Sequence, residues 1–175
     1  MEIEKMISEE EILERIKELA TIINNDYQNE ELIVACILKG STLFTCDLIK
    51  RLNMPVILDF MRTSSYGDST ISCGTVDITK DLDSDITGKN VLIVEDIIDT
   101  GRTLAEVVKN LKSRNPKSLA ICTLLDKPER REVDVNVDYV GFKIDDYFAI
   151  GYGLDYMQQY RNLPYVGKVK KLGSK

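Results

Sequence analysis

The stretch VLIVEDIIDTGRTL, Val91 to Leu104, decides how the chain is read. Val91 to Val94 is a continuous apolar run of the kind found in strands buried on both faces. Glu95 and Asp96 stand at the strand exit, and Asp99, Thr100, Gly101, Arg102 and Thr103 lead into an amphipathic helix expected over Thr103 to Leu111. A helix start offers unpaired N–H groups and the positive end of the dipole; Thr100 and Thr103 add hydroxyl donors, and Gly101 lets the backbone come close to a ligand. These features make a cradle for a phosphate. The two carboxylates before it would repel the phosphate itself but suit the hydroxyls of an attached sugar or a bridging Mg²⁺. A ribose 5-phosphate satisfies both halves. The competing reading is a capped helix after a buried strand, with Glu95, Asp96 and Asp99 merely solvated.

Working outward, Ser8 with Glu11 is a capping-box pattern, and Ile12, Ile16, Leu19 and Ile23 recur at helical spacing, predicting a helix that ends near Asn24 and Asn25. Leu32 to Leu38 is a second buried strand, followed by a glycine-containing turn, Lys39 to Ser41. Thr42 to Leu52 reads as a helix closed by Asn53 and Pro55, and Val56 to Met61 as a strand, so the order strand, helix, strand predicts a parallel crossover. Arg62 to Gly74 is polar and rich in Ser, Thr and Gly, a mobile loop or a poorly supported hairpin. Val76 to Thr79 is a further strand. Asp81 to Asp85 is a solvated turn without the ligand spacing of a calcium loop. Ser118 to Leu125 is another strand, and Tyr139 to Phe142 and Phe148 to Ile150 are short segments. The tail with Lys168, Lys170, Lys171 and Lys175 reads as a charged frayed terminus. Alternating strands and helices define an α/β fold with a mainly parallel central sheet flanked by helices.

The 175 residues fit one domain spanning 1–175, and 43% apolar with 30% charged residues is the balance of a globular protein. A formal charge of −6 without a Lys/Arg stripe argues against nucleic-acid binding. No segment has the pattern of a signal peptide or a membrane span, so the expected location is cytoplasmic. Cys36, Cys46, Cys73 and Cys122 form no CxxC pair and read as structural. The chain has no histidine, which excludes imidazole triads, histidine-containing zinc sites and phosphohistidine chemistry. Acid–base work falls to carboxylates, lysines or tyrosines. Neither a Walker A loop nor a GxGxxG fingerprint occurs.

The segment VLIVEDIIDTGRTL resembles the phosphoribosyl-pyrophosphate motif of the type I phosphoribosyltransferases, in the form carried by the members that act on hypoxanthine and guanine. LKGS at Leu38 to Ser41, SSYG at Ser64 to Gly67, LLDK at Leu124 to Lys127 and VGFKIDDYFAIGYGLDY at Val140 to Tyr156 resemble the family's other signatures, in the family's order, over roughly Leu32 to Val166. The resemblance implies that family's fold, with a small base-binding hood formed by the chain ends, and transfer of a 5-phosphoribosyl group from phosphoribosyl pyrophosphate to a 6-oxopurine with Mg²⁺.

Residue roles follow from the same resemblance. Lys39 and Gly40 would hold pyrophosphate through a non-proline cis peptide between Leu38 and Lys39. Ser65 and Tyr66 lie in a loop that would close over the site. Glu95 and Asp96 would serve the sugar hydroxyls and Mg²⁺, and Asp99, Thr100, Gly101, Arg102, Thr103 and Leu104 the phosphate, with Asp99 also handling the proton near purine N7. Lys127 would contact the exocyclic oxygen, Phe148 would stack on the ring, and main chain near Ala149 would bind its edge. Asp155 would help hold a second Mg²⁺ and Arg161 would reach pyrophosphate. A homo-oligomer, dimer or tetramer, is implied by resemblance alone. Arg102 and Ser41 stand where lysine and glycine are common, mild departures. A regulator that keeps this fold only to sense phosphoribosyl pyrophosphate is the alternative from another class, and the retained Asp99 and acidic charge speak against it.

Overall fold

The structure is a computed structural model and describes residues 2–65 and 76–171. Its order is β1 (Glu2–Ile7), α1 (Glu9–Asp26), β2 (Leu32–Leu38), α2 (Thr42–Ile49), β3 (Val56–Ser65), β4 (Val76–Lys80), β5 (Asn90–Ile98), α3 (Arg102–Lys112), β6 (Ser118–Asp126), a short 3-10 turn at Pro128–Arg130, β7 (Tyr139–Lys143), β8 (Ala149–Ile150) and β9 (Val166–Lys171). Six strands form one sheet in the order β4-β3-β2-β5-β6-β7, parallel except for β4. The expected parallel crossover is the β2–α2–β3 unit.

Continuous apolar strands arise because both faces of this sheet are covered. On β2, Leu32 and Val34 face α1 and α2 and join Ile12, Ile16, Leu19, Ile23, Phe44 and Leu48. Ile33, Ala35 and Ile37 point the other way, with Leu104, Val107 and Leu111 of α3. Cys36 and Cys122 are buried within strands, and burial pushes the Cys122 thiol far up, so it packs as an inert apolar group. Cys46 is exposed. Cys73 lies outside the described residues. The capping box is present: Glu11 N–H donates to Ser8 Oγ at 3.2 Å and Ser8 N–H to Glu11 Oε2 at 2.8 Å.

Four boundaries differ from the sequence reading. Strand β3 runs four residues past Met61, because β4 pairs antiparallel with Arg62 to Ser65 and so gives the polar end of the strand its hydrogen-bond partners; the remainder of the expected loop, 66–74, lies outside the described residues. The β5 strand runs four residues past Val94, because β6 continues to Asp126 and keeps supplying hydrogen-bond partners after the apolar run has ended. Helix α2 stops at Ile49, and Arg51 and Leu52 close it with N–H bonds to carbonyls three residues back. The tail is not frayed up to Lys171: β9 pairs antiparallel with both β1 and β8, making a second sheet in which Lys168, Lys170 and Lys171 are strand residues. That sheet, built from both chain ends, is the hood the resemblance implies. Its partners come from opposite ends of the sequence, and so no local pattern announces the pairing.

The ordering of these contributions is testable by chemical denaturation. Ile16→Ala removes a fully buried side chain and is expected to cost about 2–5 kcal/mol, whereas Ser8→Ala loses only the cap and costs about 1 kcal/mol.

Candidate active site

The candidate residues gather where β2, β5 and β6 end, the edge at which parallel sheets place ligands. Strand β2 pairs with β5 only as far as Cys36 and Val94, then turns away through Lys39 and Gly40. On that side the last residues of β5 are therefore free of a strand neighbour, while β6 holds them from the other. Glu95 and Asp96 are thus fixed within a strand rather than placed on a loop.

The Leu38–Lys39 peptide is cis, as the resemblance implies. Below it Ser41 is buried; its hydroxyl donates to Ile37 O at 2.6 Å, and its carbonyl accepts from Thr45 Oγ1 at 2.8 Å. Gly40 sits directly against Asp96, so a methyl group there would lie 1.5 Å from Asp96 Oδ2. Gly153, with φ +100°, closes on the opposite side; its methyl would lie 1.9 Å from Gly40 O. At Gly153, facing backbone with a positive φ, only glycine fits; at Gly40 any side chain would require the Asp96 carboxylate to move.

Asp96 N–H donates to Glu95 Oε1 at 3.1 Å, and Ile97 N–H to Asp96 Oδ1 at 2.7 Å. Removal from water raises the pKa of both carboxyls, Glu95 well above the ordinary range, where the neighbouring Asp96 charge adds to the effect. Arg161 acts in the other direction on Asp96. Two like charges held side by side at a surface edge are a receptor for a cation, a positive sugar or hydroxyl donors, and this donor chemistry fits Mg²⁺. Among the described residues, however, no three His, Cys, Asp or Glu side chains come together to hold a metal by themselves. Glu95, Asp96 and Asp155 are thus not one closed cage; Mg²⁺ characteristically uses one or two carboxylates and completes its shell with water and phosphate oxygens.

Past β5, Gly101 adopts φ 82° and opens α3. A cleft of about 110 Å³ there is lined by Glu95, Asp99, Thr100, Gly101, Thr103 and Leu104. The Leu104 side chain is buried in the core, which leaves its main chain for the cleft. The turn is braced by the segment after β6: Glu132 and Val133 N–H groups both donate to Thr100 O, and Arg102 pairs with Glu132 at 2.5 Å. A larger cleft, about 240 Å³, lies between α3 and residues 134–138 and contains none of the candidate side chains.

Lys127 N–H donates to Ile98 O at 3.0 Å, which sets this lysine beside the end of β5. Only 7% exposed, Lys127 is no ordinary surface lysine. Its Nζ meets Asp146 Oδ1 at 3.3 Å; Asp146 also faces Arg130 at 3.7 Å, and Arg130 Nε donates to Asp99 Oδ1 at 3.1 Å. An ionic chain thus links Lys127 to Asp99. Phe148 is 53% exposed, edge-on to Tyr156 at 5.9 Å between ring centroids, and Ala149 follows it into β8. Asp155 and Arg161 pair at 2.8 Å, and Arg161 Nη1 donates to Gly153 O at 2.7 Å. Lys39 joins this group through Gln158 at 3.2 Å. Ser65 ends β3, and Tyr66 lies outside the described residues.

Arg130, Asp146, Gly153 and Gln158 escape the sequence reading. Arg130 follows Lys127 by three residues and Asp146 precedes Phe148 by two, but charged residues in turns have no pattern that marks them as partners.

A mainly parallel sheet whose fifth strand carries an acid pair toward a glycine-capped helix start, with a second sheet of β1, β9 and β8, is the architecture of the type I phosphoribosyltransferase class. Residues 5–157 match the family model described as phosphoribosyl transferase domain, and the chain belongs to this family. The hypoxanthine phosphoribosyltransferase of Buchnera aphidicola subsp. Schizaphis graminum is 56% identical over 169 residues, covering 95% of this chain and 96% of that protein. The hypoxanthine-guanine phosphoribosyltransferase of Bacillus subtilis is 49% identical over 170 residues, 97% and 94% of the two chains. Among solved structures, a hypoxanthine-guanine phosphoribosyltransferase from Bacillus anthracis superposes with a TM-score of 0.91 at 49% identity, covering 95% and 98%.

The raised carboxyl pair has a signature in stability. The folded protein holds these protons more tightly than the unfolded chain, so the pair favours folding at low pH, and that contribution is lost as pH rises through the raised values. Asp96→Asn is therefore expected to raise the thermal midpoint of the ligand-free protein by about 2–4 °C near neutral pH, and to give no gain near pH 4. Scanning calorimetry at the two pH values checks this; a neutral-pH midpoint at or below wild type contradicts it.

Proposed function

We propose that this protein transfers the 5-phosphoribosyl group of phosphoribosyl pyrophosphate to N9 of hypoxanthine or guanine, forming IMP or GMP and pyrophosphate in purine salvage. The observation that carries this reading is the convergence of the helix start at Gly101, the Glu95–Asp96 pair and the buried Lys127 at the ends of two adjacent strands. Names of relatives about 50% identical over nearly the whole chain support the same substrate class.

The helix start and the hydroxyls of Thr100 and Thr103 hold the 5-phosphate, with Arg102 at its rim. Glu95 and Asp96 accept from the ribose hydroxyls and favour the positive charge that spreads over the ring as the C1–oxygen bond breaks. The leaving pyrophosphate takes the bonding electrons, and Lys39 and Arg161, with the Gly40 main chain, stabilise its charge. Bound Mg²⁺, held by Glu95, Asp96 and Asp155 together with substrate oxygens, would supply further positive charge there. Purine N9 attacks opposite the leaving group, which inverts C1, and Asp99 handles the proton at N7. Lys127 donates to the 6-oxygen, an atom adenine lacks; Phe148 stacks on the ring, and main chain near Ala149 binds its edge. Ser65, at the end of β3, and Tyr66 would help exclude water, as the family resemblance implies. The protein acts as one domain, within a cytoplasmic homo-oligomer of two or four copies, without nucleic acid or membrane.

An ultraviolet assay with phosphoribosyl pyrophosphate and Mg²⁺, offering each base separately, should show product from hypoxanthine and guanine and none from adenine. Absence of nucleotide from every base would overturn the assignment. Asp99→Asn should keep the fold and GMP binding while turnover drops about 100-fold or more; wild-type turnover in that variant would remove Asp99 from its role.

A further inference from the structure

Two cations that lie 122 residues apart in sequence meet at one neutral oxygen. Gln158 Oε1 accepts from Lys39 Nζ at 3.2 Å and from Arg161 Nη2 at 3.3 Å. The residue is held in an uncommon backbone conformation: Met157, Gln158 and Tyr160 have φ of 52°, 66° and 71°. Non-glycine residues visit this region at a cost, so local contacts must hold the loop. One such contact is the Gln158 N–H bond to Asp155 Oδ2 at 2.8 Å, and Asp155 is itself paired with Arg161. The loop thus aims the amide oxygen between the two cations.

We propose that Gln158 is a placeholder whose amide oxygen stands in for a pyrophosphate oxygen at Lys39 and Arg161, and that pyrophosphate must displace it to bind. The proposal rests on the reading of those two side chains as pyrophosphate ligands. A neutral acceptor suits the task. It satisfies donors on both cations without cancelling their charge, so pyrophosphate displaces two cation–dipole hydrogen bonds and no ion pair. A carboxylate at the same point would form ion pairs with both and compete more strongly. When pyrophosphate leaves, the amide oxygen takes up both cations again.

The test is calorimetric titration of inorganic pyrophosphate, with Mg²⁺, into the full-length wild type, Gln158→Ala and Gln158→Glu. Removing the competitor in Gln158→Ala should tighten binding about 3- to 10-fold. Gln158→Glu should weaken it by a comparable factor or more, so the two variants move in opposite directions. A merely structural role for the loop would weaken both. Unchanged or weaker binding in Gln158→Ala overturns the proposal, as does a wild type that binds no pyrophosphate. Wild-type protein that binds pyrophosphate yet makes no nucleotide from any base would instead overturn the transferase assignment and leave the Gln158 series readable.

Discussion

Gly40 lies so close to Asp96 that the carboxylate occupies the space a side chain would take, and the rest of this edge is arranged around that contact. The carbonyl of Gly40 is covered in turn by Gly153, and Gly153 exchanges hydrogen bonds with Arg161 through both its N–H and its carbonyl. The end of β5, the turn after β2 and the segment after β8 are therefore stacked side chain on backbone on backbone. Dense packing of this kind transmits small displacements instead of absorbing them. It also explains why the chain ends matter: the hood sheet, with its last strand Val166–Lys171, anchors the segment that carries Gly153, Asp155 and Arg161.

Charge is distributed over this frame in a consistent way. The acid pair at 95 and 96 is unfavourable alone: burial raises both carboxyls, and the Asp96 charge raises Glu95 further. The cations are not spent on it. Lys39 is held by a neutral amide, Lys127 by Asp146 and Arg130 by Asp99 and Asp146. Except for Arg161, which pairs with Asp155 and also eases Asp96, each functional charge is matched by a group other than the one it would serve in the reaction. Separations of this kind destabilise a protein modestly and are typical of sites whose charges await a ligand.

Much of the fold was legible because burial leaves a period in the sequence. The runs Leu32 to Leu38 and Val91 to Val94, the capping box at Ser8 and the spacing of Ile12, Ile16, Leu19 and Ile23 all reflect one sheet covered on both faces. The hood was legible only through family resemblance, since pairing between residues 2–7 and 166–171 has no local cause. The β5 boundary was misjudged for a related reason: hydrophobicity ends at Val94, but the hydrogen-bond ladder follows the neighbour, β6. In the site, the motif residues from Asp99 to Leu104 announce themselves through helix-start chemistry. Arg130, Asp146 and Gln158 do not, because their significance lies in which side chain each one touches.

The close seat of Gly40 on Asp96 fixes the turn after β2 against the acid pair of β5, the edge proposed to receive pyrophosphate. Titration of phosphoribosyl pyrophosphate, with Mg²⁺, into Gly40→Ala tests this most directly. The added methyl must push the Asp96 carboxylate aside, so binding should weaken at least about 10-fold while circular dichroism shows the wild-type fold. Wild-type affinity in a folded Gly40→Ala protein would contradict the account.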